Sequence, residues 1–197
     1  MNTFEYSQYI RANLDRDKFA SLIASLGDQL NDRKSRFDKS DLIEQSFEIY
    51  SDGKFKWVDE EGRDHRDFKN SKDLEMKFQQ DCLFSLKNKQ LKKIVRVKIK
   101  NFLGENKGIN IPDPADFFIF AQQDAMAVVS YDDLHPFLIA TSGSGKSLDG
   151  IYAAIPPEKL SFVFYPNEVD IVIRDIDYKM SKLNAQRELI KSFYDTI

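Results

Sequence analysis

Residues 116–131 read DFFIFAQQDAMAVVSY, and they contain two runs too densely apolar for strands that keep one face in water. Runs of this length and composition predict strands covered on both faces, placed centrally in a sheet. Central strands need other elements beside and above them, so the rest of the chain must supply further strands and a packing layer. At 197 residues, 42% of them hydrophobic, the chain is long enough to bury a sizeable core and is expected to form a single domain, 1–197.

The packing layer is legible at both ends. Over residues 1–30, Phe4, Tyr9, Ile10, Leu14, Phe19, Leu22, Ile23, Leu26 and Leu30 recur at spacings of mostly three to five without a proline, which predicts helices. Asn13 to Asp17 are polar enough to divide that segment in two. Asp41 is placed to cap a short helix beginning at Leu42. Helical spacing returns over residues 177–197, through Met180, Leu183, Leu189, Ile190 and Phe193.

Between them, residues 42–176 read mainly as strands. FEIYSDGKFKW places two short alternating runs around Asp52-Gly53, a signal for a hairpin. DEEG, residues 59–62, is a second turn. DLEMKFQ alternates, with Leu74, Met76 and Phe78 on one face and Glu75, Lys77 and Gln79 on the other. KKIVRVKIKNF alternates as well, turning Val95, Val97 and Ile99 inward and Arg96, Lys98 and Lys100 outward. IYAAI, FVFY and VDIVIRDI complete the set. The expected class is α+β: a central mixed sheet flanked by helices.

The apolar runs are too short to span a bilayer, and the charged N-terminal segment lacks the apolar stretch of a signal peptide. Cys82 is the one cysteine, so neither an intrachain disulfide nor a structural zinc cluster is available. These features make a reducing, cytoplasmic setting the expectation.

The stretch ATSGSGKSLDG, residues 140–150, approximates a nucleotide-binding loop, with Gly145, Lys146 and Ser147 in its last three places. Such a loop must open a helix whose N-terminus meets the phosphates. Here Asp149-Gly150 signals a turn instead, and Ala140 stands where the first glycine is required. The expectation is therefore a loop between sheet elements, with no nucleotide cofactor, in which Lys146 is available to a DNA phosphate.

Net charge is −3, but its distribution is uneven. Residues 87–107 carry eight Lys or Arg and one acid, Glu105, while the region from Asp52 to Asp81 is rich in Asp and Glu. Acids suited to a metal beside cations suited to a nucleic-acid backbone are what a nuclease requires. Both are also what solvated surface looks like.

The chemistry concentrates in EEGRDHRDFKNSKDLEMKFQQD. Glu75 and Lys77, two apart on a strand, share a face. Asp64 lies eleven residues earlier, just past the turn at Gly62, where a hairpin can bring it beside Glu75. Converging carboxylates repel, and a divalent cation relieves that repulsion; Mg2+ is suited to one or two carboxylates plus water and phosphate oxygens. Lys77 would then stand near the water and the scissile phosphate, orienting one or stabilising charge on the other. An E-x-K pair on one strand face is equally the pattern of an ion pair. Asp67 is a rival for the first acid. Glu44 and Glu48 are further candidate ligands, Gln79 a candidate support, and His65, His135 and Cys82 lack convincing partners.

Asp64 followed after ten residues by Glu75-Met76-Lys77 resembles the PD-(D/E)xK nuclease signature, although no proline precedes Asp64. The order of helix, hairpin, E-x-K strand and further strands, with RVKIKNFLGEN and ADFFIFAQQDAMAVVSYDDL, resembles type II restriction endonucleases. The resemblance implies a restriction-endonuclease-like fold and Mg2+-dependent hydrolysis of double-stranded DNA at a short specific sequence by a homodimer. It assigns Asp64, Glu75 and Lys77 to catalysis, the two acids also to the metal. Arg96, Lys98 and Lys100, roughly 7 Å apart along one strand face, are the expected phosphate contacts, with Lys92, Lys93 and Asn101 nearby. Gln122, Gln123 and Asn106 are candidate base readers.

Overall fold

The structure, a computed structural model of the chain, describes residues 1–26, 36–58, 68–69, 72–79, 81–85, 87, 90–100, 111, 114–142, 148–166, 183–184 and 186–187. Residues Met1–Phe164 form one compact unit and Tyr165–Ile197 a second. In the second, Leu183, Asn184, Gln186 and Arg187 are helical, within the segment whose spacing predicts helix. The strand expected at VDIVIRDI lies outside the described residues, as do Asp64, His65, Asp67, Asn101, Asn106 and Lys146.

Helix α1 (Thr3–Asn13) opens with a capping box: the Asn2 side chain accepts from the Glu5 amide, and the Glu5 carboxylate accepts from the Asn2 amide. It stops at the predicted polar interruption. Leu14 is extended, Asp15 accepts from the Lys18 amide, and α2 (Arg16–Leu26) begins.

The expected hairpin at FEIYSDGKFKW does not form. Instead α3 runs from Arg36 to Tyr50, through Asp41 and well before the expected start at Leu42. Ile43 and Phe47, one turn apart, are buried, and the Phe47 ring packs on Phe19, Phe55 and Phe68. Asp52 (φ 52°) and Gly53 (φ 68°) are both left-handed, and the Gly53 amide donates to the Glu48 carbonyl at 3.0 Å. Paired left-handed residues suit a hairpin turn and a helix C-terminus equally well. Tertiary packing of Phe47 selects the helix.

A six-stranded sheet follows the order β1 (Lys56–Trp57), β2 (Phe68–Lys69), β3 (Asp73–Phe78), β7 (Phe117–Gln122), β8 (Ala125–Ser130), β11 (Ser161–Phe164). β3 and β7 are parallel and the other pairs antiparallel, so the sheet is mixed and the class is α+β. β7 and β8 are central, and β7 is buried along its whole length, as their composition requires. Leu74, Met76, Phe117, Ile119, Met126, Val128 and Val163 pack against Tyr6, Ile10, Phe19, Ile23, Ile43 and Phe47 of α1–α3. Each such large side chain contributes about 1.5–3 kcal/mol of transfer free energy. At β11, the last strand of this sheet among the described residues, Arg11 donates to the Val163 carbonyl and Ser7 bonds Ser161, which ties α1 to the strand.

A three-stranded antiparallel sheet is built from β6 (Val95–Lys100), β10 (Leu148–Ile155) and β9 (Leu138–Ser142), in that order, and β4 (Phe84–Ser85) pairs with β5 (Gln90–Leu91). A one-turn helix, α4 (Tyr131–Leu134), follows β8. Among the described residues no helix is long and apolar enough to cross a membrane.

Candidate active site

β3 carries the centre of the site. Its period of two divides the side chains as the sequence predicts: Leu74 and Met76 belong to the helix-facing core, and Glu75 and Lys77 lie on the opposite face. In the parallel register Glu75 is level with Phe118 and Lys77 with Phe120, both fully or almost fully buried. Glu75 is itself 0% exposed, whereas the Lys77 side chain keeps 27% of its surface. The Lys77 ammonium forms an ion pair with the Glu75 carboxylate. Burial of a carboxylate is costly without a partner, and Lys77 supplies one while remaining partly exposed itself.

The neighbouring strands fix this position. β2 pairs with β3 so that Phe68 is opposite Leu74, one residue before Glu75. The Asp73 amide donates to Asp116 at 2.9 Å, locking the start of β3 to the residue that enters β7. At the other end the Gln79 amide donates to the Ala121 carbonyl, and its side-chain amide donates to the Arg96 carbonyl at 3.2 Å. Gln79 thus joins β3 to β6, the strand that carries the basic row.

Arg96 and Lys98 are exposed on β6 while Val95, Val97 and Ile99 are buried, in keeping with the predicted alternation. The Lys100 side chain lies outside the described residues. Glu75 and Lys77 therefore belong to one sheet, and Arg96 and Lys98 to another that adjoins it at Gln79. Of the other basic residues, Lys92 is ion-paired with Asp81 at 2.7 Å and Lys93 is exposed.

Several candidates have other roles. Glu44 accepts from the Trp57 indole at 3.2 Å and Glu48 from the Trp57 amide at 3.0 Å, so both hold β1 against α3. Gln122, expected among the base readers, is fully buried. Its carbonyl oxygen accepts from the Leu83 and Phe84 amides at 2.7 and 2.9 Å, and its amide donates to Asp124. That bonding shapes the approach to β4, and polarity alone does not distinguish it from a groove contact. Cys82 is buried, and burial pushes its thiol up to about 12. His135 is exposed and packs near Tyr131, with ring centroids 5.4 Å apart.

Residues 143–147, expected as a loop, lie outside the described residues, but their flanks are clear. Ser142 ends β9, Leu148 begins β10, and the two are paired antiparallel. The segment therefore connects two strands and does not open the helix that a nucleotide-binding loop needs.

Glu75 offers a metal one carboxylate. Among the described residues no group of three or more His, Cys, Asp and Glu converges. Comparison of the chain with protein-family models, curated proteins and solved structures gives no match to any of them.

Proposed function

We propose that the chain is a Mg2+-dependent, sequence-specific endonuclease of double-stranded DNA, of the type II restriction kind, acting as a homodimer in the cytoplasm. The observation that carries this reading is the Glu75–Lys77 pair: an acid and a base on one strand face, the acid wholly buried in a sheet and the lysine partly exposed. Buried ion pairs add little to stability compared with apolar residues of similar size. A pair of this kind in a central sheet is therefore better accounted for by chemistry than by folding.

Glu75 would provide one metal carboxylate and Asp64 the other, with Asp67 as the alternative. When bound, Mg2+ would supply charge stabilisation at the scissile phosphate and a more acidic water. Lys77 would donate hydrogen bonds to a phosphate oxygen or hold the attacking water. Arg96, Lys98, Lys100 and Lys146 would neutralise backbone phosphates along the approach. A two-fold dimer would place one such centre on each strand of a palindromic site.

The test is incubation of phage DNA with the purified protein and Mg2+, repeated with EDTA and with the Glu75→Ala and Lys77→Ala proteins. Discrete fragments that disappear in all three controls are the expected result. Asp64→Asn and Asp67→Asn, assayed side by side, identify the second acid. Wild-type cleavage by Glu75→Ala would overturn the assignment. The direct ion pair also favours a second reading, a catalytically inert nucleic-acid-binding module in which Glu75 and Lys77 serve only each other. Intact DNA with a mobility shift would select that one.

A further inference from the structure

The exposed face of the three-stranded sheet is more than a row of cations. Across from Lys98 on β10 stands Tyr152, and across from Tyr152 on β9 stands Ile139. Tyr152 is half-buried and Ile139 is 44% exposed, while their strand neighbours Ile151, Ala153 and Leu138 are buried. Lys98, Tyr152 and Ile139 therefore form one cross-strand row on the outer face, with Arg96 and Ala154 paired in the next row. The Lys98 ammonium lies 5.8 Å from the centre of the Tyr152 ring, within cation–π range. The β6–β10 register shifts between Ile151 and Tyr152, an irregularity of the kind that re-aims side chains at functional surfaces.

We propose that this face is a platform for a single strand of nucleic acid with unstacked bases. Arg96 and Lys98 take its phosphates, and Tyr152, with Ile139 beside it, takes a base. A solvent-facing aromatic ring beside same-face cations on a sheet is the arrangement that binds single strands, because every base has a π-face whatever its sequence. Paired bases in a duplex are already stacked and offer no such face. Charges on an edge strand also guard against sheet-to-sheet aggregation, but that role has no use for Tyr152. The proposal shares with the nuclease reading the assignment of Arg96 and Lys98 to a phosphate backbone, and it does not depend on cleavage by Glu75 and Lys77.

The experiment is fluorescence anisotropy in EDTA, with a short fluorescein-labelled oligodeoxythymidylate, alone and annealed to oligodeoxyadenylate. The single strand binds more tightly than the duplex. Tyr152→Ala weakens single-strand binding by about tenfold or more, and Tyr152→Phe, which keeps the ring, stays within about twofold of wild type. Arg96→Ala and Lys98→Ala each make the salt dependence shallower, by roughly 0.7 in the log–log slope for each phosphate no longer neutralised. That change is one a purely structural role would not produce. Tyr152→Ala binding the single strand as wild type does, or a duplex preferred by the wild-type protein, overturns the platform. A protein that cleaves duplex DNA but ignores the single strand would refute it while leaving the nuclease reading intact; single-strand binding without cleavage would do the reverse.

Discussion

Lys77 turns back along its own strand to the carboxylate of Glu75, so the two charges on this face of β3 neutralise each other. The pair has a measurable consequence whatever its chemistry. Lys77→Met leaves the Glu75 charge buried and should destabilise the fold by about 3–5 kcal/mol. Glu75→Gln combined with Lys77→Met should recover part of that loss. Urea unfolding of the two single variants and the double variant gives the coupling, and strict additivity would mean that the pair is not formed in solution.

A second prediction concerns the start of α1. The Thr3 hydroxyl donates to Asp133 at 2.6 Å and accepts from the Ser130 amide at 3.0 Å, and the Ser130 hydroxyl also donates to Asp133. These hydrogen bonds, Thr3 first, hold the Asp133 carboxyl below its ordinary value of 3.8. A lowered folded value means that the stabilisation is present above 3.8 and is lost as pH falls through the folded value. Thr3→Ala should cost about 0.5–1.5 kcal/mol near pH 7. Denaturant midpoints measured down to pH 3 should fall less steeply for Asp133→Asn than for the wild-type protein.

The helix end at Gly53 can be probed directly. A Cβ at Gly53 meets nothing within 4 Å, yet its φ of 68° is one that L-residues rarely adopt. Gly53→Ala should therefore destabilise by about 1 kcal/mol through backbone strain alone. Gly53→Asn, which tolerates the left-handed region better, should cost less. A thermal shift for Gly53→Asn as large as that for Gly53→Ala would contradict backbone strain as the cause.

Phe47 decides the shape of its whole segment. It is fully buried among Phe19, Phe55 and Phe68, and Phe47→Ala should cost about 3–5 kcal/mol. The loss should appear in chemical denaturation together with reduced helical signal if α3 depends on this packing.

Burial at Cys82 predicts chemical silence. With its thiol pushed up to about 12, almost no thiolate exists near pH 8, so iodoacetamide should label the protein at the rate at which it opens. Rapid labelling without denaturant would contradict the buried position.

What sequence by itself determined here follows from local geometry. The period of two in DLEMKF puts Glu75 and Lys77 on one face wherever that strand lies, and the same rule turns Arg96 and Lys98 away from Val95 and Val97. The unbroken apolar runs around 117–122 and 125–130 had to become central strands, since no one-sided strand could cover them. Tertiary structure decided what the local pattern left degenerate. Asp52-Gly53 suits a hairpin or a helix stop, and only Phe47 packing against distant rings selects the stop. Gln122 looks the same in sequence whether it reads a base or bonds the Leu83 and Phe84 amides 39 and 38 residues away. The complete burial of Glu75 and the placing of Tyr152 beside Lys98 arise from pairing between strands far apart in the chain. Periodicity is a property of neighbouring residues, whereas burial and partnership belong to the assembled sheets.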